Sequence, residues 1–269
     1  MQLINGVNTS QLSSLDRGLQ FGDGCFTTAQ VNAGKVRFLT HHLARLAHDS
    51  QRLGIQFDAW PELAQEINML AQQSDLGVIK ILLTRGVGGR GYSAADCTET
   101  QRILSLAPYP THYAAWQQQG VTLITSPIPL GMNPYLAGIK HLNRLEQVLI
   151  KNYLDRQGAQ EALVLDSQGN VVECCAANIL WRKGQQIFTP ALTHSGVEGI
   201  MKGLVIEALQ AEGYHCRHVT QAPTALEQAD EVIICNALMP VLPVTRIDQW
   251  HYHPGEAMAT LIKLGFTAS

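Results

Sequence analysis

Charge is scarce in this 269-residue chain: charged residues make up 15% of it and the formal net charge is -3. That weak acidic balance gives no electrostatic case for nucleic acid or an anionic membrane, so any ligand phosphate must be met locally. The chain also lacks the roughly 18 uninterrupted apolar residues of a membrane-spanning helix. Its opening, MQLINGVNTSQ, has neither the basic nor the apolar region of a signal peptide, so a cytoplasmic protein is expected. The cysteines (Cys25, Cys97, Cys174, Cys175, Cys216, Cys235) show no CxxC spacing, and neighbours Cys174 and Cys175 would face opposite sides of a strand. All are read as reduced thiols, and no metal site is expected. Lysine is limited to Lys35, Lys80, Lys140, Lys151, Lys183, Lys202 and Lys263, which makes each one's context informative.

What is present is a chain long enough to bury a sizeable core, 46% of it hydrophobic, and by length it suggests two domains. CFTTAQV and VRF flank the turn NAGK as a hairpin. LTHHLARLAHDSQRLGI then repeats Leu39, Leu43, Leu46 and Leu53 at helical spacing, with Thr40 as its cap. A second helix (Trp60, Leu63, Ile67, Leu70) leads into strands GVIKILLTRG and QRILSLA. APYPTHYAAWQQQ interrupts this alternation, so we place a domain at 1–110, a linker at 111–119 and a second domain at 120–269. The second domain should hold strands at VTLITS, EALVLDS, VVECC, ANILWRK, QIFTP and EVIICNA. Helices are expected after Lys140, from Ile200 and from Glu256. In AGIKHLNRLEQVLIKNYL the expected helical face is Leu142, Leu145, Val148, Leu149 and Tyr153.

Lys140 stands just before that helix, flanked by LAGI and HLN, where a side chain can point into a cleft. Partial desolvation there would lower its pKa and make it an amine nucleophile able to form a Schiff base with an aldehyde cofactor. Glu173 ends an apolar strand. It is either an edge-strand carboxylate in water or a paired one, of the kind that keeps a pyridine nitrogen protonated. SGVEGIMKGL places glycines before a helix start, where amides such as those of Ile200 and Met201 can bind phosphate. The corner at Asn236 and Ala237 is a further source of donors or a plain polar turn. Arg45 lies beside the apolar stripe of its helix, placed either to snorkel to water or to grip a phosphate. TRGVGGRGYS fails the Walker pattern and is read as a flexible active-site loop whose Arg90 and Tyr92 hold a substrate carboxylate. A cofactor-free module holding a nucleotide on glycines 86 to 91 is the reading from another class.

FGDGCFTT, TRGVGGRGYS, NPYLAGIKHLNRLEQVL, EALVLDSQGNVVECCAANILW and VIICNALMPV together resemble the fold-type IV family of pyridoxal-phosphate enzymes, over nearly the whole chain. That family includes branched-chain and D-amino acid aminotransferases and 4-amino-4-deoxychorismate lyases, and KHLNRLEQ is its most specific stretch here. The resemblance implies an α+β fold of two domains, a smaller N-terminal α+β domain and a larger C-terminal pseudo-barrel. It implies pyridoxal 5'-phosphate, with Lys140 as Schiff-base lysine, Glu173 on the pyridine nitrogen and Arg45 on the phosphate beside the amides of Ile200, Met201, Asn236 and Ala237. Arg90 and Tyr92 stand where the D-amino acid enzymes carry an Arg-x-His pair, and no tyrosine shortly follows Lys140 as it does in the branched-chain enzymes. Both departures favour the lyase branch: 4-amino-4-deoxychorismate split to 4-aminobenzoate and pyruvate for folate synthesis, with Thr28 or Lys140 as the acid. An aminotransferase of the same fold is the alternative. A homodimer is implied as well.

Overall fold

The computed structural model describes residues 1–97 and 99–267, which divide into two compact units. The chain builds the first from residues 1–110, enters the second at Thr111, returns to the first for Lys140–Asn143 and leaves it again at Arg144. The expected class holds: a smaller α+β unit and a larger unit built on a curled sheet.

The first unit runs β1 (Gln2–Ile4), β2 (Val7–Asn8), α1 (Arg17–Phe21), β3 (Gly24–Asn32), β4 (Lys35–Val36), α2 (Leu39–Arg52), α3 (Trp60–Ala71), β5 (Leu76–Thr84) and β6 (Gln101–Pro108). Its strands form one antiparallel sheet, ordered β2-β1-β6-β5-β3-β4. The β3–β4 turn places Ala33 and Gly34 at positive φ (48° and 70°), as a two-residue hairpin loop requires. Along β5 the alternate residues Ile79, Ile81 and Leu83 are buried with Leu46, Leu63, Ile67 and Leu70 of α2 and α3, so the helices cover one face of the sheet. Thr40 does not cap α2, which begins one residue earlier at Leu39 with Phe38 at the cap position.

The second unit comprises α4 (Tyr113–Gln119), β7 (Val121–Thr125), α5 (Leu145–Gln157), β8 (Glu161–Leu165), β9 (Val171–Cys174), β10 (Asn178–Lys183), β11 (Gln186–Pro190), α6 (Ile200–Ala211), β12 (His215–Val219), β13 (Glu231–Cys235), β14 (Leu242–Ile247), β15 (Trp250–His251) and α7 (Glu256–Lys263). The sheet runs β12-β11-β10-β13-β14-β7-β8-β9, with β15 on β14, and curls until β9 packs against β10 and β11. Leu163 of β8 faces the inner core with Leu123, Ile179 and Ile234, while its neighbours Ala162 and Val164 pack outward with Ile150 and Leu154 of α5. Strands covered on both faces in this way read as continuous apolar runs.

Two expectations are corrected here. The stretch read as a linker contains α4, and Gln117 Nε2 ties that helix to the carbonyls of Val241 (2.8 Å) and Phe266 (2.9 Å). The helix after Lys140 begins at Leu145, because residues 140–142 are extended and hydrogen-bond to β3 through Phe26 N to Lys140 O (2.9 Å) and Leu142 N to Gly24 O (3.0 Å). Its buried residues are Ile150 and Leu154, whereas Leu145, Val148 and Leu149 are 70%, 51% and 46% exposed. No helix among the described residues is long and apolar enough to cross a membrane.

Candidate active site

The first unit gathers Lys140, Arg45 and a buried polar cluster around β3, the ammonium by Phe26 and the guanidinium by Thr27. Pairing with β3 holds the strip 140–142 extended, and the Lys140 ammonium lies 4.7 Å from the centre of the Phe26 ring. Lys80, opposite Thr28 in the β3–β5 register, lies 5.1 Å from the same ring. On α2, the Arg45 guanidinium donates through Nη2 to the Thr27 hydroxyl, which in turn lies 2.6 Å from His42 Nδ1. We assign the Thr27 proton to Nδ1, which places the neutral imidazole's hydrogen on Nε2. Burial, and then the charge of Arg45, push His42 down to about 3, consistent with that neutral form. Burial also lowers Arg45, to about 10, against the opposing charge of Asp49. Arg45 Nε and His42 Nε2 are buried without a hydrogen-bond partner, two donors awaiting an acceptor. Thr28, next along β3, faces the other way and is half-buried.

Arg90 and Tyr92 are exposed on their loop, Tyr92 at 87%. The backbone there is pinned from below. Buried Arg17 donates to the carbonyls of Gly91 (3.0 Å), Tyr92 (3.0 Å) and Ser93 (3.1 Å) while holding Asp23 (2.8 Å), and the Tyr92 ring meets Phe21 edge-on. Arg17 was not anticipated from sequence.

In the second unit Glu173 is only 5% exposed, which removes the reading of a glutamate in water. Its Oε2 accepts the Val197 N–H at 2.8 Å. Residues 196–198 also hold the chain that leads to the lysine, through Gly138 N to Gly196 O (3.0 Å) and Glu198 N to Gly138 O (2.9 Å). Asn178 Nδ2 donates to Val197 O at 2.9 Å, and its Oδ1 packs so closely that a Cβ on Gly199 would lie 1.9 Å from it. Gly199 then caps α6, whose first residues are Ile200 and Met201. Gly199 has no side chain to cap that end, so its first-turn amides keep the donor capacity every helix start has. Asn236 has its side chain committed to the corner, accepting from Leu238 and Met239 (both 2.8 Å) and donating to Ala176 O (2.8 Å). It shapes the turn that presents Ala237.

Glu161, which the sequence reading missed, holds the corner after β9. Its carboxylate accepts N–H groups from Ala162 (2.9 Å), Cys175 (2.9 Å) and Ala176 (3.1 Å). Burial pushes its pKa up from 4.5 to about 7, against those donors. With the folded value above the unfolded one, the folded state binds the extra proton. The associated stability is therefore complete below about pH 4.5 and lost as pH rises through about 7. Between pH 4.5 and 7.5 that contribution falls by an amount on the order of 2–3 kcal/mol, while buried His42, held down at about 3, contributes a comparable rise. Wild-type stability measured by denaturation should therefore stay nearly level, and Glu161→Gln should make it climb with pH. An unchanged slope in the glutamine protein would assign the dependence elsewhere.

Residues 24–247 match the model of the amino-transferase class IV family. The chain belongs to that family. It is 38% identical to an aminodeoxychorismate lyase of Vibrio harveyi over 91% of this chain and 90% of that protein. It is 30% identical to a D-alanine aminotransferase of Bacillus licheniformis, over 87% and 82%. Among solved structures, 4-amino-4-deoxychorismate lyase from Pseudomonas aeruginosa superposes with a TM-score of 0.93 at 37% identity, covering 98% of this chain and 97% of that one. As a class IV chain it places the extended lysine strip in its first unit and the buried glutamate in its second.

Proposed function

We propose that this class IV chain is an aminodeoxychorismate lyase that binds pyridoxal 5'-phosphate and converts 4-amino-4-deoxychorismate to 4-aminobenzoate and pyruvate, a step toward folate. The observation that carries the cofactor reading is Glu173, a buried carboxylate at the end of an apolar strand that accepts the Val197 N–H, a group of the kind that pairs with a protonated pyridine nitrogen. By the family resemblance Lys140 would supply the amine for the cofactor's aldehyde, and the phosphate contacts would come from Arg45, whose buried Nε has no hydrogen-bond partner, from the helix-start amides of Ile200 and Met201, and from the corner at Asn236 and Ala237. Kinship at 38% to a lyase, against 30% to an aminotransferase, favours the lyase.

When bound, the cofactor draws electrons from the substrate carbon that bears the amine. Lys140 Nζ removes the hydrogen from C4 of the substrate. The bond from C3 to the enolpyruvyl oxygen then breaks, leaving an aromatic ring and, after protonation, pyruvate. The one proton pyruvate gains is the one Lys140 took from C4, returned by Lys140 itself or relayed through the Thr28 hydroxyl, which gives up its proton as it takes that one. Glu173 would pair with the ring nitrogen and favour its protonated form. Arg90 and Tyr92 are assigned to the substrate carboxylates.

We further assign a homodimer, to which the exposed apolar residues Leu145, Val148 and Leu149 of α5 would contribute. The free cysteines of the described residues suit a reducing compartment, the cytoplasm. Incubating purified protein with aminodeoxychorismate and no amino acceptor should release equimolar 4-aminobenzoate and pyruvate, and borohydride should leave a pyridoxyl group on Lys140. An adduct without products, together with new amino acid formed from D-alanine or L-leucine and 2-oxoglutarate, would move the assignment to an aminotransferase. A missing adduct would end the cofactor reading.

A further inference from the structure

The carboxylate of Asp49 is as buried as the apolar core, 1% exposed, and its ion-pair partner, His48, is a largely exposed histidine. Its Oδ2 accepts the backbone N–H of Lys140 at 3.0 Å, and its Oδ1 meets Nδ1 of His48 at 3.1 Å, a histidine whose side chain is 61% exposed. Removing a carboxylate from water costs several kcal/mol unless charge compensates it. An asparagine would meet the Lys140 amide at far lower cost, so the hydrogen bond explains the geometry of Asp49 and leaves its charge to be explained.

The groups that face it come from three elements. On α2, Arg45 lies one turn earlier, and the charge of Asp49 opposes the loss of its proton on burial; His48 is its immediate neighbour. On β3, the Cys25 thiol is pushed up to about 12 by burial and then by Asp49. On the strip, Lys140 is held at both backbone groups, its N–H by Asp49 and its C=O by Phe26 N at 2.9 Å. A lysine pinned at both peptide groups can move only its four-carbon stem, which is what a group must do to deliver one proton repeatedly to the same atom.

We propose that Asp49 is a positioning residue. Its carboxylate anchors the backbone of Lys140 and sets a negative charge beside Arg45 and at the root of the Lys140 side chain. The inference rests on the reading of Lys140 as the cofactor's amine. Two substitutions separate its parts, since Asp49→Asn keeps an acceptor oxygen and removes the charge while Asp49→Ala removes both.

Amide hydrogen exchange at Lys140, measured on the full-length protein, reads the anchor. Asp49→Ala should exchange there about 10- to 100-fold faster than wild type, and Asp49→Asn within a few-fold of it. A pH titration of the visible absorbance of the lysine-bound cofactor reads the charge. In Asp49→Asn its midpoint should fall by about one unit, because a cation at Lys140 loses its nearby anion. kcat should fall with KM little changed. A folded Asp49→Ala protein with wild-type exchange at Lys140, or an asparagine protein with an unmoved midpoint, would overturn the proposal. If the alanine protein does not fold, the asparagine midpoint decides. If wild type forms no chromophore, the functional reading fails, and the exchange arm still judges the anchor.

Discussion

Lys140→Ala should reduce the release of 4-aminobenzoate by about 10³- to 10⁴-fold or more, the scale of losing a positioned proton carrier together with the cofactor's covalent anchor. The protein should remain folded. Lys140 is half-buried, its backbone bonds to Phe26 and Asp49 survive the substitution, and the contact of its ammonium with the Phe26 ring is worth about 1 kcal/mol or less. Thermal unfolding within a few degrees of wild type would certify the comparison. A small primary amine supplied in solution should restore part of the turnover, since the proton transfer at C4 needs an amine more than it needs the chain attached to it. An alanine protein that keeps wild-type turnover would leave the scheme without a base.

Glu173→Gln should lower kcat by about 10²- to 10³-fold while KM changes little, because the residue acts by a charge set against the reacting system and touches no part of the substrate. Glutamine retains an oxygen for the Val197 N–H, so the link between β9 and residues 196–198 persists. Alanine at the same position strands that buried N–H, at a cost of about 1–3 kcal/mol. The two variants should therefore separate: similar loss of turnover, but lower stability in the alanine protein alone. Equal turnover in wild type and the glutamine variant would show that the carboxylate only braces the turn at Gly196, where an added Cβ would lie 2.7 Å from Val172 Cγ1 and 3.3 Å from Glu173 Oε2.

Several residues that the structure brings into the site left signals in the sequence. His42 and Asp49 fall four before and three after Leu46, which places both on the buried face of α2, and a polar residue on an apolar face signals a paired group. The β1–β2 hairpin turns on Asn5 and Gly6, both at positive φ, an Asn-Gly pair that is a strong short-range hairpin signal. Arg17 and Asn178 offered no comparable sign, because, apart from the bond to Asp23, their side chains reach backbone carbonyls 74 to 76 and 19 residues away.

By itself the sequence determined the elements whose periodicity is enforced by one buried face: α2, α3, α6, the β3–β4 hairpin and the apolar strands of the curled sheet. It also determined the chemical types at the site, since a scarce lysine, a glutamate among apolar residues and a glycine-led helix start are local properties. Only the tertiary structure decided that Leu142 is extended and that Leu145, Val148 and Leu149 face outward. Helical spacing was present there, but hydrogen bonds from β3 claimed the backbone of residues 140–142, and a strand contact of that kind outweighs helix propensities of a few tenths of a kcal/mol per residue. Whether Glu173 met water or protein was likewise settled by Val197, 24 positions further on, because burial depends on what the rest of the chain folds against.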